Sequence, residues 1–262
     1  FNTMNEFDNI FNSEPKIKVL DNQLLLPSGK LITLNDEQYD GINKIRQWLK
    51  SKNTFITLMG SAGSGKSTII KKLLDEYHYG VVVSAPTHKA VGVIYGITNK
   101  ESATLHSLLG LRPDVDLSNF DPNFPIFNPI ALPKINSYNL VVIDESSMIN
   151  QKLFDLIKEK TMNSRTKVLF VGDPCQIPPV GEKESVVFIQ DNIEKYILTK
   201  IERQAGTNPI LLVADIVRNN LTSNDDIFTR KTEINDNGEG IIFTVDKREF
   251  RKLVLDKFMS EN

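Results

Sequence analysis

The chain alternates short, continuous apolar runs with stretches of helical spacing. Phe55–Met59, Gly80–Ala85, Leu140–Ile143, Lys167–Val171, Ile197–Thr199 and Ile241–Val245 read as strands. Helices are predicted over 65–77, 87–97, 102–109, 148–161, 208–220 and 247–258. Another falls within "NDEQYDGINKIRQWLK", where Tyr39, Ile42, Ile45 and Leu49 share one face. Runs such as "LVVI" carry no polar alternation, so both faces of these strands must be covered. Apolar strands separated by helices predict an α/β fold with a doubly wound parallel sheet.

Two segments stand outside this rhythm. Residues 1–34 form an N-terminal extension, patternless over 1–15, with Leu24–Leu26 and Leu31–Leu34 flanking "PSGK" as a hairpin. Residues 111–135 hold five prolines and three phenylalanines without periodicity. A loop of that length in a compact domain is functional or disordered, and the phenylalanines argue against disorder. A small inserted subdomain is expected there, within a lobe running from 35 to 262.

Composition narrows the class. The 262 residues are 40% hydrophobic and 24% charged, with net charge −2, ordinary globular proportions that exclude a nonspecific polycation. A single cysteine excludes an internal disulfide, so a reducing cytoplasm is the expected setting. The longest apolar runs fall far short of a bilayer span, so no membrane partner is expected.

The candidate chemistry sits at strand ends. Gly60, four residues, then Gly65-Lys66-Ser67 is the full phosphate-loop spacing between a predicted strand and a predicted helix. Gly60, Ser61, Ala62, Gly63, Ser64, Gly65, Lys66, Ser67 and Thr68 would wrap a nucleoside triphosphate, because backbone N–H groups at a helix N-terminus turn inward around phosphates. Lys66 would reach the β- and γ-phosphates, and Ser67 would ligate Mg²⁺. "LVVIDESSM" delivers Asp144 and Glu145 to another strand end. Asp144 suits the Mg²⁺-organising acid and Glu145 the residue that positions an attacking water, which favours hydrolysis over transfer. No Asn/Thr-Lys-x-Asp box of a GTPase occurs, and only Arg112 and Arg165 lie between the phosphate loop and Arg203, too few for a kinase lid. ATP-driven motors remain.

Seven short motifs then fall into register from about residue 34 to 220: "LNDEQ", the phosphate loop, "APTHKAV", "ATLHSLLG", "VVIDESSM", "VGDPCQIPPV" and "LTKIERQAGTNPILLVADIVRNN". Together they resemble superfamily 1 helicases of the RecD/Dda-like 1B branch, in their first RecA-like motor lobe. The resemblance implies a RecA-like P-loop NTPase fold and roles position by position. Gln38 would contact adenine, although Asn35 and Gln38 also have the spacing of a helix capping pair. Thr87, His88 and Lys89, with Thr104 and His106, would contact single-stranded nucleic acid; Thr87 also suits a helix N-cap and His106 a structural role. Arg203 would reach the γ-phosphate. Within 111–135, Phe120, Phe124 and Phe127 would form a strand-separating pin or the insert's own core.

The implied protein is a DNA helicase of 5′→3′ polarity that uses ATP and Mg²⁺, tracks on single-stranded DNA and unwinds duplex. An RNA helicase of the same superfamily and a non-motor P-loop ATPase or kinase stay open. The family's second RecA-like lobe is expected as a partner beyond this sequence. A lobe without it would bind nucleotide weakly and hydrolyse slowly or not at all. In "VGDPCQIPP", Gln176 suits a sensor of the γ-phosphate or attacking water, Asp173 orders the loop and the magnesium shell, and Cys175 is expected to be a small packed residue.

Overall fold

The computed structural model describes residues 19–26, 28–77, 79–87, 90–92, 95–96, 100–113, 127–129, 131–200, 213, 216–217, 232–236 and 240–260. The chain divides into two compact units, 1–200 and 201–262. In the first, the elements run β1 (Gln23–Leu25), β2 (Leu31–Thr33), α1 (Asp36–Lys50), β3 (Phe55–Gly60), α2 (Lys66–Glu76), β4 (Val81–Ala85) and β5 (Ser102–Thr104). They continue with α3 (Leu105–Leu108), β6 (Leu111–Pro113), β7 (Phe127–Pro129), β8 (Leu140–Ile143), α4 (Gln151–Thr161), β9 (Lys167–Gly172), α5 (Val186–Ile189) and β10 (Glu194–Leu198).

Six strands form one sheet in the order β10-β3-β9-β8-β4-β5, and all five pairings are parallel. The predicted doubly wound sheet is therefore present. Parallel neighbours need crossover connections, and the helices between strands supply them. Side chains alternate along each strand between two cores. Leu169 and Val171 join Ile42, Ile45 and Trp48 of α1 and Ile69, Ile70, Leu73 and Leu74 of α2. Val168 and Phe170 join Phe154 and Ile157 of α4, Leu105 of α3 and Val187 of α5. Truncating a fully buried Phe170 to alanine would cost about 3–5 kcal/mol on this packing.

The ends of the elements follow their local chemistry. Asn35 caps α1: its Oδ1 accepts from the N–H of Gln38 at 2.8 Å, while the Asn35 N–H donates to Gln38 Oε1 at 3.1 Å. At the other end of α1, Lys167 donates to the carbonyls of Ser51 and Asn53 at 2.7 and 2.6 Å, with its ammonium 5.5 Å from the Trp48 ring centroid. The expected N-terminal hairpin is β1 and β2, closed by Gly29 at φ +81. Arg46 ties this hairpin to both first helices, gripping Asp21 and Glu76 through paired hydrogen bonds of 2.6–3.0 Å.

The expected helix over 102–109 is corrected. Ser102–Thr104 is an edge strand paired with Val83–Ala85, and helix begins only at Leu105. Thr104 is the reason: it sits in extended conformation as N-cap, accepting from the Ser107 N–H at 3.2 Å, so the residues before it cannot be helical. β10 also begins earlier than predicted, at Glu194. Around the proline-rich insert, β6 and β7 pair antiparallel, and the Lys134 N–H donates to the Leu108 carbonyl at 2.8 Å. Phe120 and Phe124 lie outside the described residues, as do the side chains of β7.

In the second unit, β11 (Glu233–Ile234) and β12 (Gly240–Ile241) pair antiparallel, and α6 (Lys247–Ser260) follows. Asp246 starts this helix by accepting from the Arg248 N–H at 2.7 Å. Of the predicted helix 208–220, residues 213 and 216–217 are helical and the others lie outside the described residues.

Candidate functional site

Parallel strands bring all their C-terminal ends to one edge of the sheet, where ligands bind in open α/β folds. Register fixes which ends meet. Met59 lies beside Gly172, Ile143 beside both Phe170 and Ser84, and Ala85 beside Thr104. The phosphate loop, Asp144-Glu145, the "GDPCQ" turn and Thr87 consequently emerge along this single edge, and the unpredicted strand β5 brings Thr104 to it as well.

The loop from Gly60 to Ser67 is wound tightly. Gly63 and Gly65 have φ of +83 and +95, which L side chains rarely adopt. A Cβ at Gly65 would stand 2.0 Å from Gln38 Nε2, and one at Gly60 would stand 2.5 Å from Ser64 Oγ. Ser64 is buried and bonds the Ser61 carbonyl at 2.9 Å, while Ala62 is exposed at the loop's crest. Lys66 Nζ donates to the carbonyls of Gly60 and Ser61 at 2.7 and 2.9 Å, and the Thr68 N–H closes on Gly65 at 3.0 Å. This glycine-lined cradle at the N-terminus of α2, with an ammonium folded over it, fits a polyphosphate.

The acidic pair faces the same loop. The Asp144 N–H donates to the Ser84 carbonyl at 2.8 Å, which fixes the carboxylate at the end of β8. Burial pushes the Asp144 carboxyl above its usual range, partly offset by the Glu145 N–H and the Lys66 ammonium. Glu145 is raised first by burial and then by Asp144, with Lys66 opposing and Asp173 adding to the rise. These four charges therefore share one electrostatic environment. Glu145 holds φ 53, ψ 39, a left-handed conformation that costs a residue with a Cβ about 1–2 kcal/mol. Strain of this kind collects at active sites.

Ser146 straps the two acidic loops together, donating to the Ile143 carbonyl at 2.7 Å and accepting from the Val171 N–H at 3.2 Å. A Cβ on Gly172 would meet the Ser146 nitrogen at 3.2 Å and a Phe188 ring carbon at 2.8 Å, so the close approach depends on that glycine. Beyond it, buried Asp173 accepts from the Cys175 N–H at 3.0 Å, and its carbonyl accepts from the Gln176 N–H at 3.0 Å. That turn sets Gln176 out in solvent at the sheet edge. It also corrects the reading of Cys175, which is exposed rather than packed, because the turn ends burial at Asp173.

The remaining candidates divide. Gln38 is buried and forms the capping pair, while its Nε2 also lies 3.4 Å from the Ser64 carbonyl. Thr87 accepts from the Ala90 N–H at 3.3 Å, the N-cap foreseen for it, and is exposed beyond β4. Thr104 caps α3, and burial holds the neighbouring His106 imidazole below its ordinary value. His88, Lys89 and Arg203 lie outside the described residues. Among the described residues, no group of three or more His, Cys, Asp or Glu could hold a metal unaided. Mg²⁺ is ordinarily held by one or two carboxylates with substrate phosphates and water, so the oxygen donors Ser67 and Asp144 fit it.

Sequence reasoning passed over Glu37. Its carboxylate accepts from the N–H groups of Thr199 and Lys200, both at 2.9 Å, and from the Thr199 hydroxyl. No signal in the sequence links positions so far apart.

The family described as AAA domain matches residues 33–235. The chain belongs to this family. Uncharacterized protein R530 of Acanthamoeba polyphaga mimivirus is 32% identical over 206 residues, covering 71% of this chain and 42% of the relative. The ATP-dependent DNA helicase dda of Enterobacteria phage T4 is 29% identical over 195 residues, 71% of this chain and 43% of that helicase. Among solved structures, Pif1 of Bacteroides sp. in complex with ADP-AlF4 superposes with a TM-score of 0.51 at 25% identity, over 75% of this chain and 48% of Pif1. The chain thus spans less than half the length of these relatives. They bear out the resemblance to the first motor lobe of superfamily 1B helicases and its RecA-like fold. No described helix is long and apolar enough to cross a membrane.

Proposed function

We propose that this chain is the ATP-hydrolysing motor lobe of a DNA helicase, which tracks along single-stranded DNA and unwinds duplex with 5′→3′ polarity. The observation that carries the reading is the strand register that brings the phosphate loop with Lys66, the Asp173 turn and Asp144-Glu145 to one sheet edge. A P-loop alone fits many activities. The acid pair at the end of β8, with the Gln176 turn at the end of β9 between it and the phosphate loop, fits hydrolysis.

Each residue has a task in that scheme. Lys66 neutralises charge on the β- and γ-phosphates, while the loop N–H groups hold the triphosphate in line. Ser67 and Asp144 would hold Mg²⁺, whose chemistry is to screen phosphate charge as it develops. Glu145 orients the attacking water and accepts its proton, a role helped by a carboxyl raised above its ordinary range. Gln176 would bond the γ-phosphate or the water, and the family resemblance assigns Arg203 to the γ-phosphate charge. Gln38 reads adenine. One donor hydrogen on Nε2 and one lone pair on Oε1 remain after capping, matching adenine N7 and N6 and mismatching guanine, which offers acceptors at both. Thr87 and Thr104, at the far end of the same edge, would contact a single strand together with His88, Lys89 and His106.

A second RecA-like lobe and single-stranded DNA are the expected partners, in a cytoplasmic setting. The test is ATP turnover by the protein joined to its second lobe, with and without single-stranded DNA. Stimulation by DNA is expected. Lys66→Ala should abolish nucleotide binding, and Glu145→Gln should keep binding while stopping turnover. Absence of polynucleotide stimulation would overturn the motor reading. The lobe alone should turn over ATP slowly or not at all.

A further inference from the structure

Residues 37 and 38 act as a bracket with two arms. Gln38 reaches the phosphate loop, its Nε2 3.4 Å from the Ser64 carbonyl and packed against Gly65. Glu37 reaches the opposite way, to the end of β10. Oε2 accepts from the Thr199 and Lys200 N–H groups at 2.9 Å each, and Oε1 accepts from the Thr199 hydroxyl. The Glu37 carbonyl is held as well, accepting from the Tyr196 hydroxyl at 2.8 Å. β10 ends at Leu198, paired with Gly60 where the phosphate loop begins. The first turn of α1 is therefore pinned both to the phosphate loop and to the end of β10.

We propose that Glu37 is a positioning residue for base recognition: by clamping Thr199 and Lys200, it holds the first turn of α1 so that the Gln38 amide meets adenine at one fixed angle. This inference rests on the ATPase reading above and adds a residue to it. Asp36 and Glu37 both occupy the first turn, where a carboxylate already favours the helix dipole. Dipole stabilisation alone would leave the Glu37 carboxylate in solvent. Instead it accepts three hydrogen bonds from a segment more than 160 residues away, and the Thr199 hydroxyl is the first cause of its lowered pKa. A bidentate amide–base contact is angular, so small rotations of the turn weaken adenine recognition while leaving the phosphate cradle intact.

The test separates base from phosphate. Affinities of the protein joined to its second lobe for ATP, GTP and tripolyphosphate are measured by displacement of a fluorescent nucleotide, for the wild type and for Glu37→Ala and Thr199→Val. Glu37→Ala removes all three side-chain acceptor contacts to Thr199 and Lys200 and should reduce ATP-over-GTP preference about tenfold. Thr199→Val removes only the hydroxyl and should reduce the preference about two- to threefold. Tripolyphosphate affinity should stay within about twofold in both. Unchanged base preference, or a parallel fall in tripolyphosphate affinity, would overturn the clamp while leaving the ATPase reading standing. A wild-type protein joined to its second lobe but without nucleotide affinity would overturn that reading and the clamp together.

Discussion

Gly65→Ala tests the contact that joins helix capping to the phosphate loop. Gly65 has φ +95, and left-handed backbone costs a residue with a Cβ about 1–2 kcal/mol. The added methyl would also stand 2.0 Å from Gln38 Nε2 and 3.0 Å from its Cδ, so the amide must leave. Its departure removes the bond to Ser64 and half of the capping box, together about 1–2 kcal/mol. Gly65→Ala should therefore cost about 2–4 kcal/mol, and Gln38→Ala alone about 1–2. In the double variant there is no amide left to displace. It should cost about as much as Gly65→Ala alone, giving a coupling of about 1–2 kcal/mol between the two sites. Urea unfolding of the two single variants and the double variant measures this directly. Additivity within about 0.5 kcal/mol would refute the reasoning, because it would mean that the Gln38 amide does not occupy the space Gly65 leaves.

Two more outcomes follow from the structure. Ser84 Oγ is fully buried with no hydrogen-bond partner among the described residues, so Ser84→Ala removes a desolvated hydroxyl and should be neutral or stabilising by about 1 kcal/mol; a loss of 1 kcal/mol or more in urea unfolding would reveal a partner. Asp21 is held at about 2, first by its hydrogen bonds to Arg46 and then to Tyr39. Its folded pKa lies below the ordinary 3.8, so its stabilisation is present above that value and is lost as pH falls toward 2. Because the carboxylate is largely exposed, solvent screening reduces the contribution to about 1 kcal/mol at neutral pH. Asp21→Asn should be less stable by that amount at pH 7, with the gap closing between pH 4 and pH 2; a gap independent of pH would exclude the ion pair as its cause.

What the sequence disclosed, it disclosed through local rules. Strands buried on both faces have no choice but continuous apolar runs, so β3, β4, β8 and β9 were legible within a residue at each end. The phosphate loop was legible because its glycines and lysine must be adjacent in the chain to surround one ligand. The edge strand β5 was not, because three residues with no periodicity of their own are extended only through pairing with β4 and through the Thr104 cap. Cys175 was misjudged because apolar character suggested packing, whereas the Asp173 turn carries the chain out of the core. The site's supports were hidden for a different reason. Ser146, Gly172 and Glu37 act on partners 16 to 163 residues away (Phe188 for Gly172, Lys200 for Glu37), and no short window contains both halves of such a contact. Gln38 shows why local and functional readings need not compete. The capping box and the bond to Ser64 use half of the amide's hydrogen-bonding capacity, which fixes its orientation and leaves the other half for the adenine contact proposed above. A residue with only the capping role would be replaceable by glutamate at position 38; adenine recognition requires the NH₂ that glutamate lacks.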